Sequence, residues 1–211
     1  MPYKTVDELK TIVTESISKA QSLSSKIPHD ITYLKGFSSP KIRHLLNNLC
    51  SYGPCNYLEI GIFTGSTFIP AIFKNECKAI GIDDWSQFKK EEAGYDARET
   101  LNKNLLNFGS DLGQYEIRNQ NCFDFPYELP KPNVFLYDGA HDALSTKTAI
   151  EVYGKAAHQP FVMIVDDIQL VESVWEGTRQ ALNSFTVHLS KELKKADGYH
   201  EGVLVMVLEA V

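Results

Sequence analysis

The segment from residue 58 to residue 67 reads Leu-Glu-Ile-Gly-Ile-Phe-Thr-Gly-Ser-Thr, and this segment decides the fold. An apolar run ends at the first of two glycines that lie four positions apart. Gly61 and Gly65 permit a tight turn and close backbone approach, which is typical of a buried strand leading into a helix. Ser66 and Thr67 then lie at the N-terminus of that helix, where a carboxylate can dock. The spacing is not the dinucleotide or triphosphate fingerprint, and a purely structural turn is the alternative.

Short apolar runs alternate with helical patterns beyond this segment. The runs predict strands at 57–61, 78–83, 115–118, 133–138 and 160–166. This alternation produces parallel strands joined by crossover helices. Two further β-rich runs, at 185–189 and 203–208, have no helical pattern between them and predict an antiparallel hairpin. We therefore expect an α/β, doubly wound, Rossmann-like sheet of seven strands, mostly parallel with one reversed strand, and with helices on both faces.

An N-terminal helical segment, residues 1–54, precedes the sheet domain of residues 55–211. Thr5 begins a capping box and an amphipathic pattern over residues 5–23, and Ser39 caps a second helix. These helices could cover one edge of the sheet, form a lid over a site or make a homodimer contact.

Further capping residues predict helices inside the sheet domain. Asp96 and Glu99 form another capping box, and Gly109 is suited to ending the helix that they begin. Ser145 is suited to capping a helix that runs towards Tyr153.

Composition excludes several classes of function. The chain has 211 residues, of which 43% are hydrophobic and 23% charged, as expected for one globular domain. A net charge of −6 argues against binding to the phosphate backbone of nucleic acid. The longest apolar runs are far shorter than the ~20 residues of a membrane span, and no signal-peptide pattern is visible. We expect no nucleic-acid partner, no membrane association and a cytoplasmic location.

The four cysteines do not have the spacing of metal ligands. Cys50 and Cys55 form a C-x4-C pair without a second pair, and Cys77 and Cys122 are isolated. We predict free thiols.

Polar side chains follow the predicted strands, at the sheet edge where ligands collect in a doubly wound fold. Asp83 ends the second strand, 24 residues beyond Glu59, a separation at which an acid receives ribose hydroxyls. Trp85 could flank an adenine ring or simply pack, and the polar tip at 119–124 could bind the adenine edge. These positions predict a ligand that contains ribose.

The chain resembles the class I S-adenosylmethionine-dependent methyltransferases at these positions, over about residues 55–210. Its closest resemblance is to the small, metal-dependent O-methyltransferases of the catechol and macrocin type. The motifs that carry the resemblance are 58–61 with 65–67, 82–83, the Asp-Gly-x-His strand end within 135–141, and the acidic pair within 165–167. The chain departs from that branch at 158–160, where a glycine turn is usual, and at Asn121, where an acid is common.

The resemblance implies a role for each matching residue in binding S-adenosylmethionine. The first motif and the backbone near Asp138 would hold the methionine end of the cofactor. The acid after the second strand would bind the ribose, and the end of the third strand would bind the adenine. The cofactor-binding positions are then Glu59, Gly61, Gly65, Ser66, Thr67, Asp83, Trp85, Asn121, Cys122 and Asp138.

Three carboxylates follow two strands that should be neighbours in the sheet. Asp138, Asp166 and Asp167 would converge there, and their mutual repulsion favours a cation such as Mg²⁺ or the larger Ca²⁺. The resemblance places a general base at His141, whose unperturbed pKa near 6.5 suits proton abstraction. The alternatives are an Asp138 that caps a turn, an acidic pair that caps the helix near Val171, and an ordinary loop histidine.

The sequence therefore predicts an enzyme that transfers a methyl group from S-adenosylmethionine to a hydroxyl of a small-molecule acceptor, with help from a divalent metal. Asp138 and His141 are the predicted catalytic residues. Tyr199 and His200, between the last two strands, are candidates for contacting the acceptor. A non-catalytic nucleoside-binding or regulatory module and a nicotinamide-dependent oxidoreductase are the alternatives.

Overall fold

One sheet forms the centre of this computed structural model, which describes residues 4–87, 94–124 and 128–211. Its strands are β1 (Cys55–Ile60), β2 (Cys77–Asp83), β3 (Gln114–Asn119), β4 (Val134–Tyr137), β5 (Phe161–Val165), β6 (Phe185–Leu193) and β7 (Val203–Ala210). Their order across the sheet is β3-β2-β1-β4-β5-β7-β6. Among these seven strands, β7 is antiparallel to both of its neighbours, and the other pairs are parallel. The predicted doubly wound sheet with one reversed strand is confirmed.

The last hairpin is longer than its apolar run predicts. The run at 185–189 is five residues long, whereas β6 continues to Leu193, which pairs with Val203 at the start of β7. A register shift between Val187 and Leu189 interrupts the pairing. Backbone groups make the ladder hydrogen bonds, so a strand can continue through polar side chains that the apolar pattern does not reveal.

Helices cover both faces of the sheet, as predicted. In the described part of the chain they are α1 (Val6–Gln21), α2 (His29–Thr32), α3 (Pro40–Leu49), α4 (Phe68–Ile72), α5 (Ala97–Phe108), α6 (Ala143–Ala156) and α7 (Glu172–Ala181). The core on one face contains residues of α1, α3, α4 and α5, and the core on the other contains residues of α6 and α7. Successive residues of β7 alternate between them, since Val205 belongs to the first core and Leu204 and Met206 to the second.

One predicted helix cap and one predicted capping box need correction. α6 begins at Ala143, and its cap is Asp142, whose Oδ1 accepts a hydrogen bond from the Ser145 backbone N–H at 2.8 Å. The prediction of Ser145 as the cap was wrong, because the carboxylate three residues earlier reaches that N–H. Asp96 caps α5 in the same way, but Glu99 does not complete a capping box, since its carboxylate pairs with Lys103 Nζ at 2.7 Å.

The other helix boundaries agree with the predicted signals. The capping box at Thr5 is complete, Ser39 caps α3, and Gly109 follows the last residue of α5. α7 begins at Glu172 with no side-chain cap, so the acidic pair at 166–167 does not cap it. No helix among the described residues is both long and apolar enough to cross a membrane.

Candidate functional site

A cavity of about 460 Å³ lies at the carboxyl ends of β1, β2, β4 and β5. The position is where the strand order reverses between β1 and β4, as expected for a ligand site in this fold. Its walls bring together many of the predicted site residues: Gly61, Ser66, Thr67, Asp83, Trp85, Asn121, Cys122, Asp138, His141 and Asp167. Three other predicted residues, Glu59, Gly65 and Asp166, are not part of the wall.

Gly61 makes the closest backbone approach in the site. Its φ of +89° is in the left-handed region, and a Cβ at this position would lie 1.9 Å from the Asp138 carbonyl oxygen. The turn after β1 is therefore pressed against the end of β4, where the Asp138 N–H donates to the Ile60 carbonyl at 2.9 Å. Gly65 also has a positive φ, and a Cβ there would lie 2.6 Å from Leu101 of α5. Gly61 shapes the cavity wall, and Gly65 shapes the packing behind it.

Glu59 lies beneath this turn and is fully buried. Its Oε2 accepts from the Tyr57 hydroxyl and its Oε1 from the Thr67 hydroxyl, both at 2.5 Å. Burial raises the pKa of Glu59 to about 8. The structure therefore places Glu59 behind the cavity, where it links β1 to the turn that leads into α4.

Asp83 lines the cavity and is held by the backbone. Its Oδ2 accepts from the Phe63 N–H and its Oδ1 from the Trp85 N–H, both at 2.7 Å. The Trp85 indole donates in turn to the Phe63 carbonyl at 2.9 Å, and the Arg98 guanidinium lies 5.4 Å from the indole ring. This network fixes the carboxylate at the cavity wall, while its remaining lone pairs can accept from a ligand.

The tip of β3 forms the polar end of the cavity. Asn121 and Cys122 line it as predicted, and the Asn121 Oδ1 accepts from the Phe123 N–H at 2.9 Å. Gln120 also lines it, and its Nε2 is buried with no hydrogen-bond partner among the described residues. An unpaired buried donor is costly unless a ligand satisfies it. The sequence predicted Asn121 and Cys122 but not Gln120, because no local motif distinguishes this residue within the polar tip.

Asp138, His141 and Asp167 form a cluster on the opposite wall, with their ligand atoms within 4.8 Å of one another. The His141 Nε2 lies 3.3 Å from Asp167 Oδ2 and 3.9 Å from Asp138 Oδ1. The structure does not bring the predicted third carboxylate, Asp166, into this group. Asp166 is buried, and its Oδ1 accepts from the Asp167 N–H at 2.9 Å. Asp167 has a φ of +57°, in the left-handed region, so the alternation of side-chain directions along β5 does not continue through this residue.

The two neighbouring carboxylates raise the pKa of His141 to about 10. Burial also raises the pKa of Asp138, to about 7, and, together with repulsion from Asp138, it raises the pKa of Asp166. The imidazole is thus protonated at neutral pH in the described arrangement, as an imidazolium beside Asp138 and Asp167. For His141 to act as the predicted base with a pKa near 6.5, another cation would have to bind the two carboxylates.

Apolar side chains from distant segments complete the cavity mouth. Phe37, in the loop before α3, stacks on Phe63 with ring centroids 5.3 Å apart. Leu170 lines the cavity after β5, and His200 lines it from the turn between β6 and β7, as predicted. Tyr199 is fully buried and is not part of the wall. Phe37 and Leu170 were missed because no local motif marks them, and only the fold brings them to the site.

Solved structures with the same fold include several methyltransferases. TomG from Streptomyces achromogenes, an O-methyltransferase of tomaymycin synthesis solved with S-adenosylmethionine, has a TM-score of 0.57 and 18% identity, over 93% of this chain and 90% of that chain. An O-methyltransferase from Bacillus cereus solved with S-adenosylhomocysteine has a TM-score of 0.51 and 12% identity, over 98% and 92%. No family model matches the chain, and no curated protein has a matching sequence.

A third structure comes from Streptococcus mutans and is assigned as an S-adenosylmethionine-dependent methyltransferase. Its TM-score is 0.57 at 10% identity, over 81% of this chain, and the chain spans only about half of its length, 48%. At identities of 10–18%, these likenesses establish the fold. The chain has the fold of the class I S-adenosylmethionine-dependent methyltransferases.

Proposed function

We propose that this protein transfers the methyl group of S-adenosylmethionine to a hydroxyl of a small-molecule acceptor, with assistance from a divalent metal ion. One observation carries the proposal: Asp83 is held at the cavity wall by two backbone N–H groups, facing a site that also contains Asp138, His141 and Asp167. A carboxylate that is held in place to accept hydrogen bonds from ribose hydroxyls suits binding of the cofactor. A group of carboxylates in the same cavity suits binding of a divalent metal ion. The fold supports the proposal as well, since solved structures with this fold contain the cofactor or its demethylated product.

The cavity residues fit the adenosyl cofactor. Asp83 would accept hydrogen bonds from the ribose hydroxyls, and the unpaired Gln120 amide would donate to an adenine nitrogen together with Asn121. The turn at Gly61 carries no side chain at this position, and its backbone would lie against the methionine end of the cofactor. Glu59 would support that turn from behind. The bound cofactor supplies a methyl group on a positively charged sulfur, and the protein contributes alignment and exclusion of water.

The Asp138–His141–Asp167 cluster would hold Mg²⁺, or the larger Ca²⁺, through carboxylate oxygens. Hard cations prefer such ligands, and a bound cation lowers the pKa of a hydroxyl that contacts it. A cation at Asp138 and Asp167 would compete with the His141 imidazolium for the same carboxylates. His141 could then lose its proton and accept one from the acceptor hydroxyl.

The apolar lining of the cavity mouth supports an aromatic acceptor. The Phe37–Phe63 stack and Leu170 add apolar surface to the cavity that also contains the acidic cluster. A planar, partly apolar molecule with a hydroxyl group would place its ring on this surface and the hydroxyl towards His141.

Calorimetry with S-adenosylhomocysteine tests cofactor binding. We expect one site per chain, a dissociation constant at least ~10-fold weaker in Asp83→Asn, and no change in Asp111→Asn, which alters an exposed carboxylate elsewhere. Absence of binding to the folded wild-type protein would contradict the proposal.

Mass spectrometry with hydroxylated aromatic acceptors tests the transfer. We expect a product whose formation requires Mg²⁺ or Ca²⁺ and falls strongly in Asp167→Asn. A non-catalytic nucleoside-binding module is the second candidate, because the imidazolium already offsets part of the charge of the two carboxylates without a metal. Cofactor binding without product from any acceptor would favour that module.

A further inference from the structure

Three cysteines converge at the end of the sheet opposite the candidate active site. The Sγ atoms of Cys50, Cys55 and Cys77 all lie within 4.8 Å of one another. All three residues are buried, with exposed fractions of 0%, 5% and 4%. None of them forms a disulfide. The proposed methyl transfer does not use this cluster.

Strand register explains why residues so far apart in sequence meet here. Cys55 and Cys77 are the first residues of β1 and β2 and are direct partners in the parallel pairing. Side chains of paired residues point to the same face of the sheet. Cys50 is the C-cap of α3, which packs on that face, and its thiol is thereby placed beside the other two. The cluster therefore has a fixed geometry defined by two strands and one helix end.

The separation of the sulfurs suits a bound metal ion. An ion centred among three sulfurs at the upper limit of 4.8 Å would lie about 2.8 Å from each. Small inward movements of ~0.5 Å would then reach the ~2.3 Å of a zinc–thiolate bond. A disulfide would use only two of the sulfurs and would leave the third without a role.

Binding of a metal ion to these cysteines would require their thiols to lose protons. In this structure the Cys55 thiol donates a hydrogen bond to Asn133 Oδ1 at 3.4 Å. A thiolate is the form that binds metals.

The cluster is reachable from solvent. A second cavity, of about 730 Å³, opens at this end of the sheet and is lined by Cys55 and Cys77. Lys4, Lys78 and Glu76 also line it, and their net positive charge would offset part of the negative charge of a thiolate cluster. An ion could therefore enter along a polar path that does not pass through the candidate active site.

We propose that Cys50, Cys55 and Cys77 form a trithiolate site for a thiophilic metal ion, Zn²⁺ or Cu⁺. Soft sulfur ligands select these ions over Mg²⁺ and Ca²⁺. Cu⁺ would be held by the three sulfurs alone, whereas Zn²⁺ would take a fourth ligand such as water from the cavity. The bound ion would join α3 to β1 and β2 and so stabilise the folded protein.

Titration of the full-length, fully reduced and metal-free protein with Cd²⁺ tests the site, because cadmium–thiolate bonds give an ultraviolet charge-transfer band. We expect one equivalent to produce the band in the wild type. Cys50→Ser, Cys55→Ser and Cys77→Ser should each weaken binding by more than ~100-fold, since loss of outer-shell partners alone costs 10–100-fold. Cys122→Ser is the matched control and should bind as the wild type does, because Cys122 lies at the other end of the sheet.

Competition and X-ray absorption complete the test. Displacement of Cd²⁺ by one equivalent of Zn²⁺ or of Cu⁺ identifies the preferred ion. If the serine variants fail to fold, absorption spectra of the zinc-loaded wild type should still show three sulfur neighbours at ~2.3 Å. A reduced wild type without the band, or a zinc shell of nitrogen and oxygen alone, overturns the proposal. A disulfide in the unreduced protein would then explain the proximity of the thiols.

Discussion

At the scale of single residues, the candidate site depends on positions where the local backbone geometry restricts the residue type. Gly61 has no room for a Cβ against the Asp138 carbonyl, and Asp83 accepts from two backbone N–H groups at once. The sequence indicated both residues, since a glycine after a buried strand and an acid after the next are local signals. Asp166 and Asp167 could not be told apart, because their directions depend on a positive φ that neighbouring residues do not reveal.

Gly61→Ala should disrupt the site. The new Cβ would lie 1.9 Å from the Asp138 carbonyl oxygen, and φ is +89°, so we expect a loss of stability of at least ~2 kcal/mol. Binding of S-adenosylhomocysteine should weaken at least ~10-fold, as measured by calorimetry. Gly109→Ala is the matched control, because its φ is ordinary and a Cβ there meets nothing within 4 Å. Equal effects of the two substitutions would contradict the assigned role of Gly61.

Glu59→Gln should change how stability depends on pH. The pKa of Glu59 is about 8 in the folded protein against 4.5 as the ordinary value, so the native state retains a proton that the unfolded chain loses. The free energy of unfolding of the wild type therefore falls as pH rises from about 4.5 to 8, by up to roughly 3 to 5 kcal/mol from this group. The glutamine variant does not titrate, so its stability relative to the wild type should rise across that window.

Urea denaturation at pH 5 and pH 8 measures this effect. Glu176→Gln, at an exposed position of α7, serves as the control and should differ from the wild type by the same amount at both pH values. A Glu59→Gln variant whose relative stability does not change with pH would show that Glu59 is ionised in the folded protein.

At the scale of elements, all seven strands were predictable from short apolar or β-rich runs, although β3 and β6, at the two edges of the sheet, bury few of their residues. Their ends were less predictable, as β6 shows by continuing four residues beyond its apolar run. Helix starts were predictable where one capping residue was available and not where two competed, as at Asp142 and Ser145. The cysteine cluster was not predictable, because it depends on the pairing of Cys55 with Cys77, which no local pattern reveals.

Asp142→Ala should lower stability by about 1 kcal/mol, as loss of a helix cap typically does. The substitution removes the acceptor of the Ser145 N–H and leaves that N–H to water. Ser145→Ala keeps the cap and should change stability by less than ~0.5 kcal/mol. Urea denaturation compares the two variants, and a larger loss from Ser145→Ala would restore the serine as the cap.

At the scale of the whole molecule, the N-terminal helices share a core with the sheet. Val13 of α1 is fully buried in the same cluster as Leu45 of α3 and Val205 of β7. The loop before α3 also supplies Phe37 to the cavity mouth. A segment packed in this way should unfold together with the sheet rather than separately. The predicted homodimer contact through these helices stays a prediction.

Val13→Ala tests this coupling. Both tryptophans, Trp85 and Trp175, lie outside the N-terminal segment, so their fluorescence reports unfolding of the sheet domain. Removal of two buried methyl groups should cost about 2 kcal/mol, which lowers the melting temperature by roughly 4–8 °C. If the helices and the sheet form one cooperative unit, tryptophan fluorescence and circular dichroism will shift together by that amount. Ser18→Ala, on the exposed face of α1, should leave both unchanged. A shift in circular dichroism alone would mean that α1 unfolds separately from the sheet that carries the site.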